Sequence, residues 1–144
     1  CKIETSLETK ETSAAFVYQV IQAYGGAASF YKQWFIGGVC PLGFLHLNNK
    51  GNWVNWNYYD QTQLQKSVEP FIIEQLKKQV ALCGKPKECV VFGTGKNFKY
   101  LSQLNKSLKL FDKITPLEHP RYVMQYKLKF KDQYIAKFLE VLAA

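Results

Sequence analysis

The chain has 144 residues, 47% of them hydrophobic and 15% aromatic, which is enough for one domain with a core and too few for two ordinary domains. Lysine and arginine outnumber the acids by 19 to 11, giving a formal charge of +8. This excess favours an anionic partner such as nucleic acid or an acidic surface. A lysine-rich solvated surface explains it equally well, since 18 of the 19 bases are lysine.

The four cysteines do not form a pattern typical of a zinc site or of a secreted disulfide framework. Cys1, Cys40, Cys83 and Cys89 include no Cys-x-x-Cys pair and have no histidine at ligand spacing. We expect buried free thiols in a reducing compartment. No apolar run approaches the roughly 18 residues of a membrane span, and no signal peptide is evident, so we expect an intracellular soluble protein. The start on Cys1 indicates that the natural beginning lies upstream.

The first part of the chain predicts two helices and a strand. Apolar residues recur at helical spacing behind Ser13, which can serve as the N-cap, and Gly25 and Gly26 end this helix. A short second helix follows in AASFYKQW. The segment WFIGGVCPLGFL is rich in aromatic and β-branched residues, which predicts a buried strand that runs into a loop at Pro41.

The middle of the chain predicts a polar connection and a long helical region. The segment from His46 to Tyr59, HLNNKGNWVNWNYY, is rich in Asn and Trp and predicts a long surface loop or a hairpin. Helical sequence extends from Asp60 to about Cys83. Because Pro70 lies inside it, we expect two helices or one helix kinked at the proline.

The remaining segments predict two strands and two helices. ECVVFG is a compact buried strand ending at Gly93, and Thr94 can cap the helix KNFKYLSQLNKSL. A last strand covers about Leu110 to Leu117, and DQYIAKFLEVL has the spacing of an amphipathic helix. Strands separated by helical crossovers of about 12 residues or more imply parallel strands, and hence an α/β layered sheet.

Three loops follow the carboxyl ends of the predicted strands, where open α/β sheets bind their ligands. In FGTGKNF, the glycines, a helix N-terminus and Lys96 suit an anion, but the spacing is not that of a P-loop or dinucleotide fingerprint, so a plain turn is the preferred interpretation. In VCPLGF, Cys40 has no neighbouring base and fits core packing. In LEHPRY, His119 alone fits a structural turn. Together at one sheet edge, the three loops predict a site.

Three segments carry a resemblance to a known family. FIGGVCPLGFL, VVFGTGKNFKYL and PLEHPRYVMQY, in this order and at these separations, resemble the uracil-DNA glycosylase superfamily, nearest its single-strand-selective monofunctional type and an uncharacterised bacterial branch beside it. The resemblance extends from the helix at Ser13 to the C-terminal helix. It implies a three-layer α/β sandwich with a central, mostly parallel sheet flanked by helices. It further implies a single domain over residues 1–144 that lacks its N-terminal part, in a monomeric, cytoplasmic bacterial protein.

The resemblance also implies a function and the residues that carry it. Such enzymes flip uracil or a related damaged base out of DNA, hydrolyse its bond to the sugar and leave an abasic site, without a metal or organic cofactor. His119 matches the histidine that donates a hydrogen bond to the departing base. Pro120, Arg121, Tyr122 and Gln125 match residues that fill the gap or touch phosphates. For Arg121, a forked phosphate contact and a surface salt bridge are equally good interpretations.

The base pocket implied by the resemblance contains Gly38, Cys40 and Pro41, with Lys96 as a further DNA contact, but the sequence departs from the family pattern twice. The glycine- and proline-rich motif that positions the water is not found before Ser13, so no residue for water activation is identified. Gly38 stands where the pattern has an asparagine that reads uracil, which predicts a larger, less discriminating pocket. Four asparagines could replace it, although a turn role is favoured for them: Asn48, Asn49, Asn55 and Asn57.

Two functions from different classes therefore remain open. The first is a monofunctional DNA glycosylase. The second is a non-catalytic nucleic-acid-binding relative that keeps the fold and the basic face; a phosphate binder using GTGK is a weaker third. The mixture of aromatic and basic residues in GNWVNWNYY and YKLKFK suits stacking on unpaired bases, although we expect Trp53 and Trp56 to be buried against the domain instead.

Overall fold

The computed structural model describes residues 11–143. The described chain divides into two compact units: a first unit made of its two ends, up to Trp34 and from Leu117 onward, and a second unit, Phe35–Pro116. None of the helices in these residues is both long enough and apolar enough to cross a membrane. In chain order the elements are α1 (Thr12–Ala23), α2 (Ala27–Gln33), β1 (Phe44–Leu47), β2 (Trp53–Trp56), α3 (Thr62–Leu82), β3 (Glu88–Phe92), α4 (Lys96–Leu108), β4 (Lys113–Leu117), α5 (Pro120–Tyr126), a 3-10 turn (Leu128–Phe130) and α6 (Lys131–Ala143).

The first helix begins two residues earlier than the sequence predicts. Glu11, not Ser13, is the N-cap, and its carboxylate accepts from the backbone N–H groups of Ser13 at 3.0 Å and Ala14 at 2.6 Å. The longer acidic side chain satisfies two of the free N–H groups of the first turn at once. The predicted glycine stop is confirmed, since Gly25 and Gly26 have φ of 114° and 85°, which strongly favour glycine.

The core of the first unit forms where α1 packs against α5 and α6. Phe16 of α1 meets Phe138 of α6 edge to face, with ring centroids 5.1 Å apart. The indole N–H of Trp34 donates to the backbone carbonyl of Leu142 at 3.1 Å, which joins the end of α2 to α6. Burying each of these large side chains contributes about 2 kcal/mol. The apolar face predicted for the C-terminal helix is therefore the face that packs.

In the second unit, the segment between His46 and Tyr59 contains a hairpin, which confirms one of the two predicted alternatives. Strands β1 and β2 are antiparallel, with Phe44 opposite Trp56 and Leu47 opposite Trp53. The Asn48 carboxamide oxygen accepts from two backbone N–H groups of the turn, so this asparagine has the predicted turn role. Trp53 is 68% exposed, so the expectation that it is buried is wrong.

The strand predicted in WFIGGVCPLGFL does not form at its expected position. The backbone from Trp34 to Gly38 is irregular, Phe35 is 55% exposed and Ile36 is 41% exposed. Aromatic and β-branched side chains favour a strand only where a neighbouring strand pairs with it, and no strand of residues 11–143 pairs with this segment. The strand begins later, at Phe44, where β2 supplies the partner.

Helices α3 and α4 and strand β3 build the core of the second unit. Pro70 lies inside α3, which is one continuous helix and not two. The fully or largely buried side chains are Tyr58, Ile72, Leu76, Val91, Leu101 and Leu104.

Strands β3 and β4 form a two-stranded parallel sheet joined by α4. The last strand begins at Lys113 and not near Leu110, because the Asn105 carboxamide oxygen takes the backbone N–H groups of Leu110 and Phe111. Gly95, not Thr94, is the N-cap of α4, and it offers no side-chain hydrogen bond.

The central, mostly parallel sheet expected from the resemblance is not seen in the described residues. These residues contain two separate two-stranded sheets, one antiparallel and one parallel. The helical crossover between β3 and β4 is as predicted, but the absence of a strand at Trp34–Gly38 removes the member that was expected to widen the sheet.

Candidate functional site

His119 occupies a defined position at the start of α5. It is the N-cap of this helix, and its Nδ1 accepts the backbone N–H of Arg121 at 3.1 Å. An Nδ1 that accepts a hydrogen bond carries no proton, so the neutral ring is protonated on Nε2. The residue is exposed as a whole, although its ring is partly buried. His119 therefore has one ring nitrogen bonded to the backbone, and the N–H on the other has no acceptor among residues 11–143.

The pKa of His119 lies below the ordinary histidine value. Partial burial of the ring lowers it and Arg121 lowers it further, while the carboxylate of Glu11 acts in the opposite direction. The imidazole is consequently neutral at pH 7, and it becomes protonated at a lower pH than an ordinary histidine does. Neutral is the form that the hydrogen bond from Arg121 to Nδ1 requires, so geometry and electrostatics favour the same tautomer.

The residues beside His119 hold it in place. Pro120 is at the first position of α5 and is buried, as is Val123 one turn on. Glu118, directly before the histidine, accepts two hydrogen bonds from Lys137 Nζ of α6, at 2.7 and 3.0 Å. Burial raises the pKa of Glu118, but the bonds from Lys137 outweigh it and leave that pKa below its ordinary value. The histidine backbone is thus anchored on both sides.

The exposed side of α5 and the turn after it carry cations and aromatic rings. Arg121, Tyr122 and Gln125 are all exposed, and the ring of Tyr122 lies 5.6 Å from that of Tyr126. No ion pair within residues 11–143 involves Arg121. The same holds for three lysines that follow in the chain: Lys127, Lys129 and Lys131. We call residues 121–131 the cationic segment.

The second unit contains a cavity of about 470 Å³. Its wall is formed by Val39, Cys40, Leu42, Gly43, Phe44, Asn55, Trp56, Asn57, Tyr58, Tyr59 and Asn97. Of the predicted pocket residues, Cys40 therefore lines the cavity, whereas Gly38 and Pro41 do not and are exposed. Asn55 and Asn57 line it as well, while Asn48 and Asn49 lie at a shallow depression with His46 and Lys50.

Gly38 is held by a contact with α3 but has space around it. Its carbonyl accepts from the Gln79 side-chain amide at 3.0 Å. A Cβ at this position would meet only Pro41 and Cys40 backbone atoms at 3.8 to 3.9 Å, which are ordinary contacts. The backbone therefore does not require glycine here, and a side chain is absent from a position that could carry one.

Lys96 stands at the start of α4, 3.8 Å from a carboxylate oxygen of Asp60, with a largely exposed side chain. A pair this exposed and this long is weak, so the ammonium group of Lys96 is available to an anionic partner. Beside it, Asn97 accepts a hydrogen bond from the Tyr58 hydroxyl at 2.5 Å. Neither Tyr58 nor Asn97 was singled out from the sequence, because each is significant only through this contact.

Three of the four cysteines lie within the described residues, and Cys1 lies outside them. Cys40, Cys83 and Cys89 are free and partly buried. Burial raises the pKa of Cys89 to about 11, so it is protonated at neutral pH and a poor nucleophile. Within residues 11–143, no group of three or more His, Cys, Asp or Glu side chains is placed to hold a metal ion.

The sequence model of the Uracil DNA glycosylase superfamily matches residues 9–143, almost the whole chain. The chain belongs to this superfamily. It is also similar to the crystal structure of wild-type SMUG2 from Pedobacter heparinus, with 42% sequence identity and a TM-score of 0.87. The match covers 97% of this chain and 60% of that one. No curated protein matches the chain.

Membership of the uracil DNA glycosylase superfamily confirms the resemblance deduced from the three sequence segments, and the likeness to SMUG2 confirms its nearest type. It also supports the uracil-DNA-glycosylase-like α/β fold, apart from the central sheet. The role of each site residue remains a prediction. For this superfamily member, His119 and the cationic segment belong to the first unit, and the cavity with Cys40 belongs to the second.

Proposed function

We propose that the protein is a monofunctional DNA glycosylase, a hydrolase that releases uracil or a related damaged base and leaves an abasic site. The observation that carries this proposal is the state of His119: a neutral imidazole, anchored through Nδ1, whose Nε2–H has no acceptor in the part of the chain that the structure describes. Membership of the uracil DNA glycosylase superfamily supplies the class of reaction.

Cleavage of the bond between base and sugar leaves negative charge on the departing base. In the proposed mechanism, the Nε2–H of His119 donates a hydrogen bond to that developing charge. A donor that is already oriented before the reaction costs no reorganisation, and such an interaction is often worth about 3 kcal/mol. The anchoring of Glu118 by Lys137 and the burial of Pro120 support this role, since both restrict the histidine backbone.

The cationic segment is proposed to bind the DNA. Arg121 presents a planar fork of donors that matches a phosphate, and Tyr122 and Gln125 are exposed on the same short helix. Tyr126 and the three lysines extend the surface with an aromatic ring and positive charge, the combination that suits an unpaired strand. Lys96 is proposed as a further phosphate contact.

The base pocket is proposed to involve the cavity of the second unit, with Cys40 in its wall and Gly38 and Pro41 in the segment leading to it. Space at Gly38 supports the expectation of reduced discrimination at that position. No metal or organic cofactor is part of this proposal, because protein hydrogen bonds stabilise the leaving group.

The test is abasic-site formation by the full-length protein on a single-stranded oligonucleotide that contains one uracil, with His119→Ala alongside. We expect alkali-sensitive sites with the wild type and a strong loss in the variant. Binding of the oligonucleotide without any release would favour the alternative, a nucleic-acid-binding relative that has lost catalysis, for which the glycine at position 38 is the observation in support.

A further inference from the structure

The cavity of the second unit contains one asparagine whose amide is both oriented and available. Asn97 lies in the first turn of α4, and its carboxamide oxygen accepts from the Tyr58 hydroxyl. With the oxygen committed to Tyr58, the Nδ2 group carries two N–H donors. Within residues 11–143 these donors have no hydrogen-bond acceptor. They are free to bind a ligand.

Tyr58 fixes which way the Asn97 amide faces. Its side chain is only 6% exposed and is packed between the rings of Tyr59 and Tyr100, with centroids 4.9 and 5.1 Å away. Burial raises the pKa of Tyr58 far above its ordinary value, so its hydroxyl stays protonated and can donate to Asn97. A buried hydroxyl that donates selects the amide rotamer with oxygen toward tyrosine and nitrogen away from it.

The other two asparagines of the cavity wall are less suited to reading a ligand. Asn57 already donates its Nδ2 to a carboxylate oxygen of Asp60 at 3.1 Å. Asn55 lies on β2 opposite Leu45, its side chain is exposed, and no contact among the described residues orients it. Asn97 alone among the asparagines of this wall combines an anchored oxygen with free donors.

We propose that Asn97 recognises the carbonyl oxygen that marks a deaminated base, and that Tyr58 is its positioning residue. The inference rests on the proposed glycosylase function. Deamination replaces an exocyclic amino group, a donor, with a carbonyl, an acceptor. An amide that presents N–H groups therefore donates a hydrogen bond to the carbonyl of the deaminated base. At the undamaged base the same N–H groups face an amino group, which is also a donor, so no hydrogen bond forms. In this way Asn97 supplies an amide that the sequence lacks at Gly38.

The test measures the affinity of the full-length protein for two single-stranded oligonucleotides, identical except for uracil or cytosine at one position. Both nucleotides carry a 2′-fluoro sugar, which resists cleavage because fluorine destabilises the oxocarbenium-like transition state. Fluorescence anisotropy gives the two dissociation constants. We expect wild type to prefer uracil by roughly 10- to 100-fold, the effect of one buried hydrogen bond gained or opposed.

The decisive variant is Asn97→Asp, which keeps an acceptor for Tyr58 but replaces the two donors with a second acceptor. A carboxylate accepts from the cytosine amino group, so the preference should move toward cytosine. Asn55→Asp places the same charge on the same cavity wall and should lower both affinities without changing their ratio. Tyr58→Phe, which leaves Asn97 in place without its anchor, should reduce the preference for uracil and provides a second readout if Asn97→Asp does not fold.

The outcomes separate this inference from the proposed function. If wild type does not distinguish uracil from cytosine, or if both Asn97→Asp and Tyr58→Phe retain the wild-type ratio, the inference is wrong whether or not base release is observed. If the ratio shifts as expected but natural uracil is never released, Asn97 reads the base and the glycosylase proposal fails.

Discussion

Two substitutions of His119, to asparagine and to alanine, distinguish its role as a helix cap from its proposed role as a hydrogen-bond donor. The residue caps α5 through Nδ1 and, in the proposed mechanism, donates from Nε2 to the leaving base. His119→Asn retains a side chain that caps helices well but lacks the imidazole donor. His119→Ala removes both. The two variants should therefore differ in stability and agree in rate.

The magnitudes follow from these two tasks. Loss of an N-cap costs about 1 kcal/mol of folding free energy. His119→Ala should therefore unfold at a lower urea concentration than wild type, whereas His119→Asn should unfold at a concentration close to that of wild type. Loss of a preorganised donor to a developing anion costs about 3 kcal/mol in the transition state, which corresponds to a roughly 100- to 1000-fold slower reaction. Both variants should show this slower rate.

The assay is single-turnover release of uracil from a single-stranded oligonucleotide with protein in excess, alongside urea unfolding and oligonucleotide affinity. Affinity should change little, because the donor acts on charge that is absent from the ground state. The reasoning is refuted if His119→Asn retains a rate within a few-fold of wild type. It is also refuted if the loss of rate in His119→Ala is matched by an equal loss of affinity.

Three further predictions address charge, contact and pocket. Partial burial and Arg121 lower the pKa of His119 in the folded protein, against the opposing effect of Glu11. As the pH falls, the unfolded chain therefore binds this proton at a higher pH than the folded protein does, and stability should fall as the pH drops through about 6.5. The variant His119→Asn should lack this part of the pH dependence when the urea midpoint of unfolding is measured. Arg121→Ala should weaken binding to single-stranded DNA, and in a salt titration it should lower the slope of log affinity against log salt concentration by about 0.7. The control is Lys78→Ala, which removes an exposed lysine paired with Glu74 and should leave the affinity and the slope as in wild type. Gly38→Asn should change the ratio of uracil to cytosine affinity, with stability within about 0.5 kcal/mol of wild type because a Cβ there meets only ordinary contacts; an equal effect of Gly38→Ala would show that the amide is not responsible.

Five of the helices, α1, α2, α3, α4 and α6, and strand β3 could be predicted from the sequence because their signals are local, whereas helix α5 was not predicted. Apolar spacing located α1 and α6, and the compact apolar run located β3. The caps were predicted less well, since Glu11 and Gly95 replace the expected Ser13 and Thr94. Capping depends on whether a given side chain reaches a free N–H group, and residue preference alone does not determine that geometry.

The prediction of a strand in WFIGGVCPLGFL that ends at Pro41 was wrong for a different reason. Its composition fits a strand, but strand formation requires a neighbouring strand in register, which residue type does not reveal. The same limit applies to the site. His119 was identified through its motif, whereas the Tyr58–Asn97 hydrogen bond joins residues 39 positions apart and is visible only once the second unit is folded.

The most direct test of the central claim is the chemical identity of the products that the full-length wild-type protein forms from a single-stranded uracil oligonucleotide at pH 7. Mass spectrometry of the mixture should show free uracil and an otherwise intact strand with one abasic site, which breaks only after alkali treatment. An unchanged oligonucleotide after prolonged incubation with stoichiometric protein, under conditions where binding is complete, would contradict the account.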